Sequence, residues 1–376
     1  MKRYVLLLLP LFGSWVATAQ LTVVEKGAMP ALAQESSGLI FLGNKLVTHN
    51  DSGNAPQLME IDTTSLQITR TVTILNAENI DWEDIAQDNQ YIYIGDIGNN
   101  NGNRRDLKIY KVSKSDFALQ DGLQAEEIRF SYSDQVDFVA APNASDWDAE
   151  ALFVLGDQLV VLTKQWNGQD TVAYSLPKDP GTHVASRVGE LAVGGLVTGA
   201  SYNEATEMLY IIGYSQALIP FVHRVGDVRS DNVFGGNNEK LSLGLAFLQA
   251  EGITEVGPNK YFISSETFNS TSPPISSEGR LFSFDTTDSP VDGETPDEGN
   301  GDILLYRSLG SRELNYQLEG EIEAMAIFNG SGQRIQYKKA AQLEGNTIDL
   351  SPLRPAIYYL TFYLSDKMVS EPFYVN

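Results

Sequence analysis

Glu35, Glu83, Glu150 and Glu251 stand at matching points of a segment that occurs five times along the chain, and Thr198 takes their place in the fourth copy. Small or apolar residues suited to starting a strand follow each, as in Glu83-Asp84-Ile85-Ala86 and Glu251-Gly252-Ile253-Thr254. A second column, Asp51, Asp96, Lys164, Tyr214 and Glu266, lies 13 to 16 residues further on and closes an apolar run such as Tyr91-Ile92-Tyr93-Ile94-Gly95-Asp96. Three residues beyond that column Asn54, Asn99, Asn167 and Asn269 recur, with Ala217 in the fourth copy. Gathered at one place, so many carboxylates repel and raise one another's pKa unless a cation intervenes. Calcium, which accepts six to eight oxygen ligands in flexible geometry, is the natural remedy. The expected metal ligands are therefore Glu35, Asp51, Glu83, Asp96, Glu150, Glu251 and Glu266, with Asn54, Asn99, Lys164 and Tyr214 as ligand-binding neighbours. His49, two residues before Asp51, is the candidate general base, and a bound cation beside it would suit hydrolysis of an ester, lactone or phosphoester.

These residues must be brought together by strands. From Gln20 to about Asp285 the chain reads as short apolar runs broken by Gly, Asn, Asp and Pro, with little helical periodicity. In the first copy Leu39-Ile40-Phe41, Lys45 to Thr48, Gln57 to Ile61 and Ile68 to Ile74 make four strands. Four-stranded sheets repeated radially form a β-propeller, an all-β architecture in which repetition protects the sheet edges. Counting copies predicts five blades, with a sixth, degenerate one left open. Leu21-Thr22-Val23-Val24 is placed to add the outer strand of the last blade and close the ring. In such a blade the start of the first strand and the end of the second emerge on the same face, so both columns should ring one mouth of the channel.

A purely structural reading accounts for the same pattern. Recurrent Glu at strand starts can accept N–H groups from the neighbouring blade, and Asp51-Ser52-Gly53-Asn54 or Asp96-Ile97-Gly98-Asn99 can be Asx-type turns. Asp84, Asp146 and Asp148, near Trp82 and Trp147, are secondary candidates that read as surface loop groups rather than ligands. No Gly-x-Ser-x-Gly elbow, His-Glu-x-x-His helix or phosphate-binding glycine loop occurs, and His183 and His223 lack companion ligands.

The chain of 376 residues carries a formal net charge of -23 and no cysteine. Such acidity argues against nucleic-acid partners, whose phosphates need Lys and Arg. Disulfides and thiolate metal sites are excluded, so oxygen or histidine must hold any metal. Residues 1–19 read as a secretory signal: Lys2 and Arg3, the apolar Val5 to Leu9 run, and Ala17-Thr18-Ala19 as a cleavage site. The mature chain carries no other long apolar stretch, and a secreted or outer-surface protein without a transmembrane segment is expected.

Residues 34 to 286 resemble uncharacterised secreted bacterial propeller proteins through Glu35-Ser36-Ser37-Gly38-Leu39, Thr48-His49-Asn50-Asp51-Ser52-Gly53-Asn54, Asp81-Trp82-Glu83-Asp84-Ile85, Gly95 to Asn100 and Asp148 to Leu152. Glu150-Ala151-Leu152 and Glu251-Gly252-Ile253 are also similar to elements of esterase-like phytase propeller domains. Residues 287–302, acidic and rich in Pro and Gly, read as a linker between the propeller, residues 20–286, and a small all-β unit, residues 303–376. Glu323 to Phe328 and Ile357 to Tyr363 read there as strands, and an immunoglobulin-like sandwich is the fitting fold. It resembles the C-terminal sorting domain of type IX secretion cargo through Ile327 to Ile335, Ile348-Asp349-Leu350-Ser351-Pro352-Leu353 and Ala356 to Leu360. The resemblance implies the type IX secretion machinery as a partner.

Three functions stay open on these grounds. The chain is a surface propeller that binds a cation and a small-molecule, glycan or protein ligand, a calcium-dependent hydrolase using the same mouth, or an interaction protein whose carboxylates only fasten blades.

Overall fold

The computed structural model describes residues 20–257, 259–271, 274–289, 303–306, 312–318, 322–329, 334–343, 345–364 and 368–375. The signal segment, residues 1–19, and most of the expected linker lie outside them. The chain divides into two compact units, Met1–Ser289 and Pro290–Asn376.

The first unit is all-β and propeller-like, and each sequence copy supplies a set of antiparallel strands. Copy 1 contributes Ser36–Leu42, Lys45–Asn50, Gln57–Asp62 and Ile68–Ile74, with the short Gly122–Leu123 added at its outer edge. Copy 2 contributes Trp82–Gln87, Tyr91–Asp96, Lys108–Ser113 and Glu126–Tyr132, and copy 3 Asp148–Leu155, Gln158–Lys164, Thr171–Pro177 and Gly181–Leu191. These two sets merge into one eight-stranded sheet, because Glu126–Tyr132 runs parallel to Gly181–Leu191 at their outer edges. Copy 4 contributes Leu196–Asn203, Met208–Tyr214, Pro220–Val225 and Asn238–Ser242. In copy 5, Ala250–Gly257, Lys260–Ser265 and Arg280–Asp285 are completed by Val23–Ala28 from the other end of the unit, with Val23 opposite Phe284 and Ala28 opposite Arg280.

The first strands of the five copies contact one another in cyclic order, the fifth against the first. Alternation of side chains across each strand gives every sheet two apolar faces, and each face meets that of the next copy. Trp82, Ile92 and Tyr110 pack against Ile40, Val47 and Val72. Tyr93 and Ile109 meet Leu152 and Val161, while Phe153 and Leu162 meet Val197 and Ile211. Tyr210 and Val222 join Tyr261 and Phe284, and Phe262 and Leu281 return to Leu46 and Met59. Burial between copies, rather than one central core, therefore closes the ring.

The second unit has two sheets. One orders Ile303–Tyr306, Glu313–Leu318 and Thr347–Asp349, and the other Arg334–Lys339, Ile322–Asn329, Ala356–Leu364 and Met368–Val375. Leu314, Tyr316, Ile327, Leu360 and Phe362 are among the side chains of their common core.

Candidate metal centre

Backbone pairing sorts the acids into three levels at one end of the channel. At the outermost level Asp51 N donates to Glu35 O at 2.9 Å, Ile97 N to Asp81 O at 3.2 Å and Glu266 N to Gln249 O at 3.1 Å. Asp148 pairs there with Lys164, and Leu196 with Tyr214. Two residues further along the first strand, Glu83, Glu150, Thr198 and Glu251 are each the extra residue of a β-bulge. In copy 1 the irregularity falls between Ser36 and Leu39, which sets Ser37 at the level of Glu83. A bulge bends the strand and re-aims the inserted side chain. Opposite lie Asp51, Ile97, Lys164, Tyr214 and Glu266.

Two members of the sequence columns thus sit at other levels. Glu35 stands with Asp81, ahead of the bulge, and is exposed. Its Oε2 accepts from Asn54 Nδ2 at 2.6 Å. Asp96 pairs with Trp82, one residue short of the level of Asp51. A one-residue offset turns a side chain to the other face of a sheet, and Asp96 accordingly meets Arg104 at 2.9 Å and Lys108 at 3.7 Å. Asn99 works through the loop: its main-chain N donates to Asp148 Oδ1 at 2.6 Å, while its amide bridges Trp147 O and Arg104 N.

Asp81 and Asp148, absent from the columns read off the sequence, complete the cluster. Asp148 is fully buried, which corrects its reading as a surface loop group; Asp146 is exposed. Ligand oxygens of Asp51, Asp81 and Glu83 lie within 4.8 Å of one another, and so do those of Glu83, Asp148 and Glu150. Glu83 belongs to both triads. Asp148 is oriented by Asn99 N and by Trp166 Nε1, which donates to Oδ2 at 2.8 Å. Lys164 Nζ lies 2.6 Å from Glu150 Oε1 and 4.7 and 5.8 Å from the Trp166 and Tyr214 ring centres. Tyr214 OH accepts from Gln249 Nε2 at 3.0 Å. Gly98 lines the cluster so tightly that a Cβ there would overlap Glu83 Oε1 and Asp81 Oδ2.

Burial and mutual repulsion dominate the electrostatics. Burial first, then Asp51 and Asp148, push the Asp81 carboxyl up to about 7. Glu266 is pushed to about 7 by burial and then Asp51. Glu83 is held well above the usual carboxylate range by burial and then Glu150, and Glu251 by burial and then Glu266. Glu150 is raised well above that range by burial, with Lys164 acting against it. Burial also opposes the charge on Lys164, yet Glu150, Tyr214 and Glu251 outweigh it and hold the ammonium well above its ordinary value. Glu83 and Glu251, only 4% and 5% exposed, make no side-chain hydrogen bond or ion pair among the described residues.

Deeper in the channel Asp84 is also fully buried, again unlike the surface group expected. Its Oδ1 accepts from Ile85 N at 2.8 Å, and its Oδ2 from Leu152 N at 2.8 Å and Ala200 N at 3.4 Å, so one carboxyl joins the first strands of three copies. Burial raises its pKa well above the ordinary value despite these donors. His49 is enclosed too, edge-on to Trp82 with ring centres 5.5 Å apart. Its Nδ1 meets Asn50 O at 3.1 Å, and its Nε2 lies toward the Asp84 main chain without a well-aligned bond. Burial lowers its pKa to about 4, so the ring is neutral at physiological pH.

No family model and no curated protein matches the sequence. Among solved structures, a protein provisionally named a gluconolactonase aligns at 10% identity over 69% of this chain and 77% of its own, with a TM-score of 0.38. PorZ, a surface component of the type-IX secretion system of Porphyromonas gingivalis, aligns at 10% identity over 91% of this chain, with a TM-score of 0.33. The chain spans 45% of the length of PorZ. An exo-beta-1,3-galactanase from Clostridium thermocellum aligns at 10% identity over 93% of this chain and 82% of its own, with a TM-score of 0.46. At TM-scores below 0.5 no site residue is carried over from any of them. Among the described residues, no helix is long and apolar enough to cross a membrane.

Proposed function

We propose that this chain is an exported, five-bladed β-propeller that binds a divalent cation, calcium by its oxygen-only donors, at the acidic mouth of its channel. The observation that carries this reading is Glu83: a residue more than nine-tenths buried whose carboxylate makes no hydrogen bond among the described residues and is common to two triads of converging oxygens. Burying such a group charged and unpaired is costly; protonation removes that cost for one carboxyl, whereas a hard cation does so for several converging carboxylates at once. Five inter-copy cores in cyclic order support the blade number. The signal-like residues 1–19 support export, and the C-terminal unit, read as an immunoglobulin-like sandwich similar to type IX sorting domains, supports delivery to the cell surface by that machinery. A glycan or other small ligand would meet the cation from the open side, beside Trp166 and Tyr214.

Calorimetric titration of the full chain with calcium chloride tests the reading. Heat of binding that disappears in Glu83→Gln, with the circular dichroism unchanged, is the expected result. An equal heat in the variant, or none in the parent chain, leaves the carboxylates as blade fasteners. The hydrolytic alternative uses the same cation, but His49 is enclosed, with Nδ1 against Asn50 O and Nε2 toward the Asp84 main chain, so a base that reaches substrate would have to come from elsewhere. Turnover of ester, lactone or phosphoester substrates that stops on chelation would establish it.

A further inference from the structure

The two triads at the mouth are not equivalent. Asp51, Asp81 and Glu83 have no ammonium or guanidinium within ion-pair distance among the described residues. In the second triad Lys164 already sits on Glu150 at 2.6 Å, itself only 5% exposed and flanked by the Trp166 and Tyr214 rings. Its side chain therefore delivers a positive charge to the place where a second cation would otherwise go, on a tether that cannot dissociate. Glu83, unpartnered and shared by both triads, is free to turn its oxygens to the first. The asymmetry comes from the second sequence column, where copies 1 and 5 carry Asp51 and Glu266 and copy 3 carries Lys164.

We propose that the mouth takes a single divalent cation, held by Asp51, Asp81 and Glu83, and that Lys164 is the built-in counter-ion of the Glu83, Asp148 and Glu150 triad, limiting the site to that one ion. This rests on the cation-binding reading above and adds where the ion sits and what fixes the number. Without the ammonium, Glu83, Asp148 and Glu150 become three buried carboxylates with converging oxygens, and Glu83 can bridge two ions. The Trp166 and Tyr214 rings help hold the ammonium in place by attraction to their faces.

Equilibrium dialysis of the full chain against calcium chloride, with bound metal counted by elemental analysis, tests the proposal. One ion per chain is expected for the parent, two for Lys164→Gln, none for Asp81→Asn, and one for Glu150→Gln. Two ions in the parent, or one in a folded Lys164→Gln, overturns it. Should Lys164→Gln fail to fold, the other two variants decide: loss of the ion in Glu150→Gln with retention in Asp81→Asn places it in the wrong triad. No ion in the parent instead removes the cation reading itself, so the two failures are distinguishable.

Discussion

Just past the bulges, four copies carry Gly38, Ala151, Gly199 and Gly252, and the first strands close on one another there: a methyl at Gly38 would lie 2.6 Å from Ile85 N and 2.8 Å from Asp84 Cα. The fifth position is Asp84, whose side chain crosses the space its small counterparts leave and caps the N–H groups of Leu152 and Ala200. Asp84→Ala should leave the buried N–H groups of Ile85, Leu152 and Ala200 without this acceptor, at about 1–3 kcal/mol each, whereas Asp84→Asn keeps an acceptor and should cost about 1 kcal/mol. Urea denaturation of the two variants checks this, and equal losses would contradict the role. The repeated acids were visible in the sequence at once, but their levels were not. A bulge adds a residue without leaving a mark in composition, so Glu35 and Asp96 were aligned two and one positions away from their structural counterparts. The signal that would have found the two missing members of the cluster was the acid-x-Glu spacing of Asp81-Trp82-Glu83 and Asp148-Ala149-Glu150.

Strands were more legible than levels, because alternation and turn residues mark them locally. Lys45, Gln57 and Ile68 open strands in the structure as in the sequence, as does Tyr91. The helix Lys114–Leu119, capped by Ser113 Oγ accepting from Asp116 N, gave no warning because one apolar contact, Phe117, anchors it. The parallel pairing of copies 2 and 3 likewise depends on partners 53 residues apart, such as Ile128 and Gly181, which no local pattern encodes. The strand Val23–Ala28 is the element on which closure turns. It contributes little apolar burial of its own but completes the ladder along Arg280–Asp285, and Glu25 pairs with Arg280. Deleting residues 20–28 should remove about 3–5 kcal/mol, at about 0.5–1.5 kcal/mol per lost hydrogen bond, and expose an edge prone to aggregation. A synthetic peptide of residues 20–30 should restore the melting temperature in trans; no recovery would mean that the strand acts only during folding.

At the scale of the whole molecule, the proposed cation site predicts that stability depends on both pH and calcium. A carboxyl whose folded pKa lies above its unfolded value binds more protons in the native state through the window between the two. Asp81 and Glu266, held at about 7 against ordinary values of 3.8 and 4.5, therefore favour the fold at low pH, and that contribution is lost as pH rises toward 7. Glu83, Glu150 and Glu251, also raised by burial, act in the same direction. In chelator the melting temperature should fall by on the order of 5–10 °C between pH 5 and pH 8. A cation competes with protons for the same oxygens, so calcium should add little at pH 5 and most at pH 8, and its uptake near neutrality should release protons. Differential scanning calorimetry at both pH values, with and without calcium, separates this from a purely structural ring. Blade-fastening carboxyls that stay protonated would give the same pH slope with and without the ion, because nothing would then draw their protons off. A calcium shift that grows with pH and vanishes in Glu83→Gln ties the slope to the mouth rather than to the net charge of -23 spread over the chain.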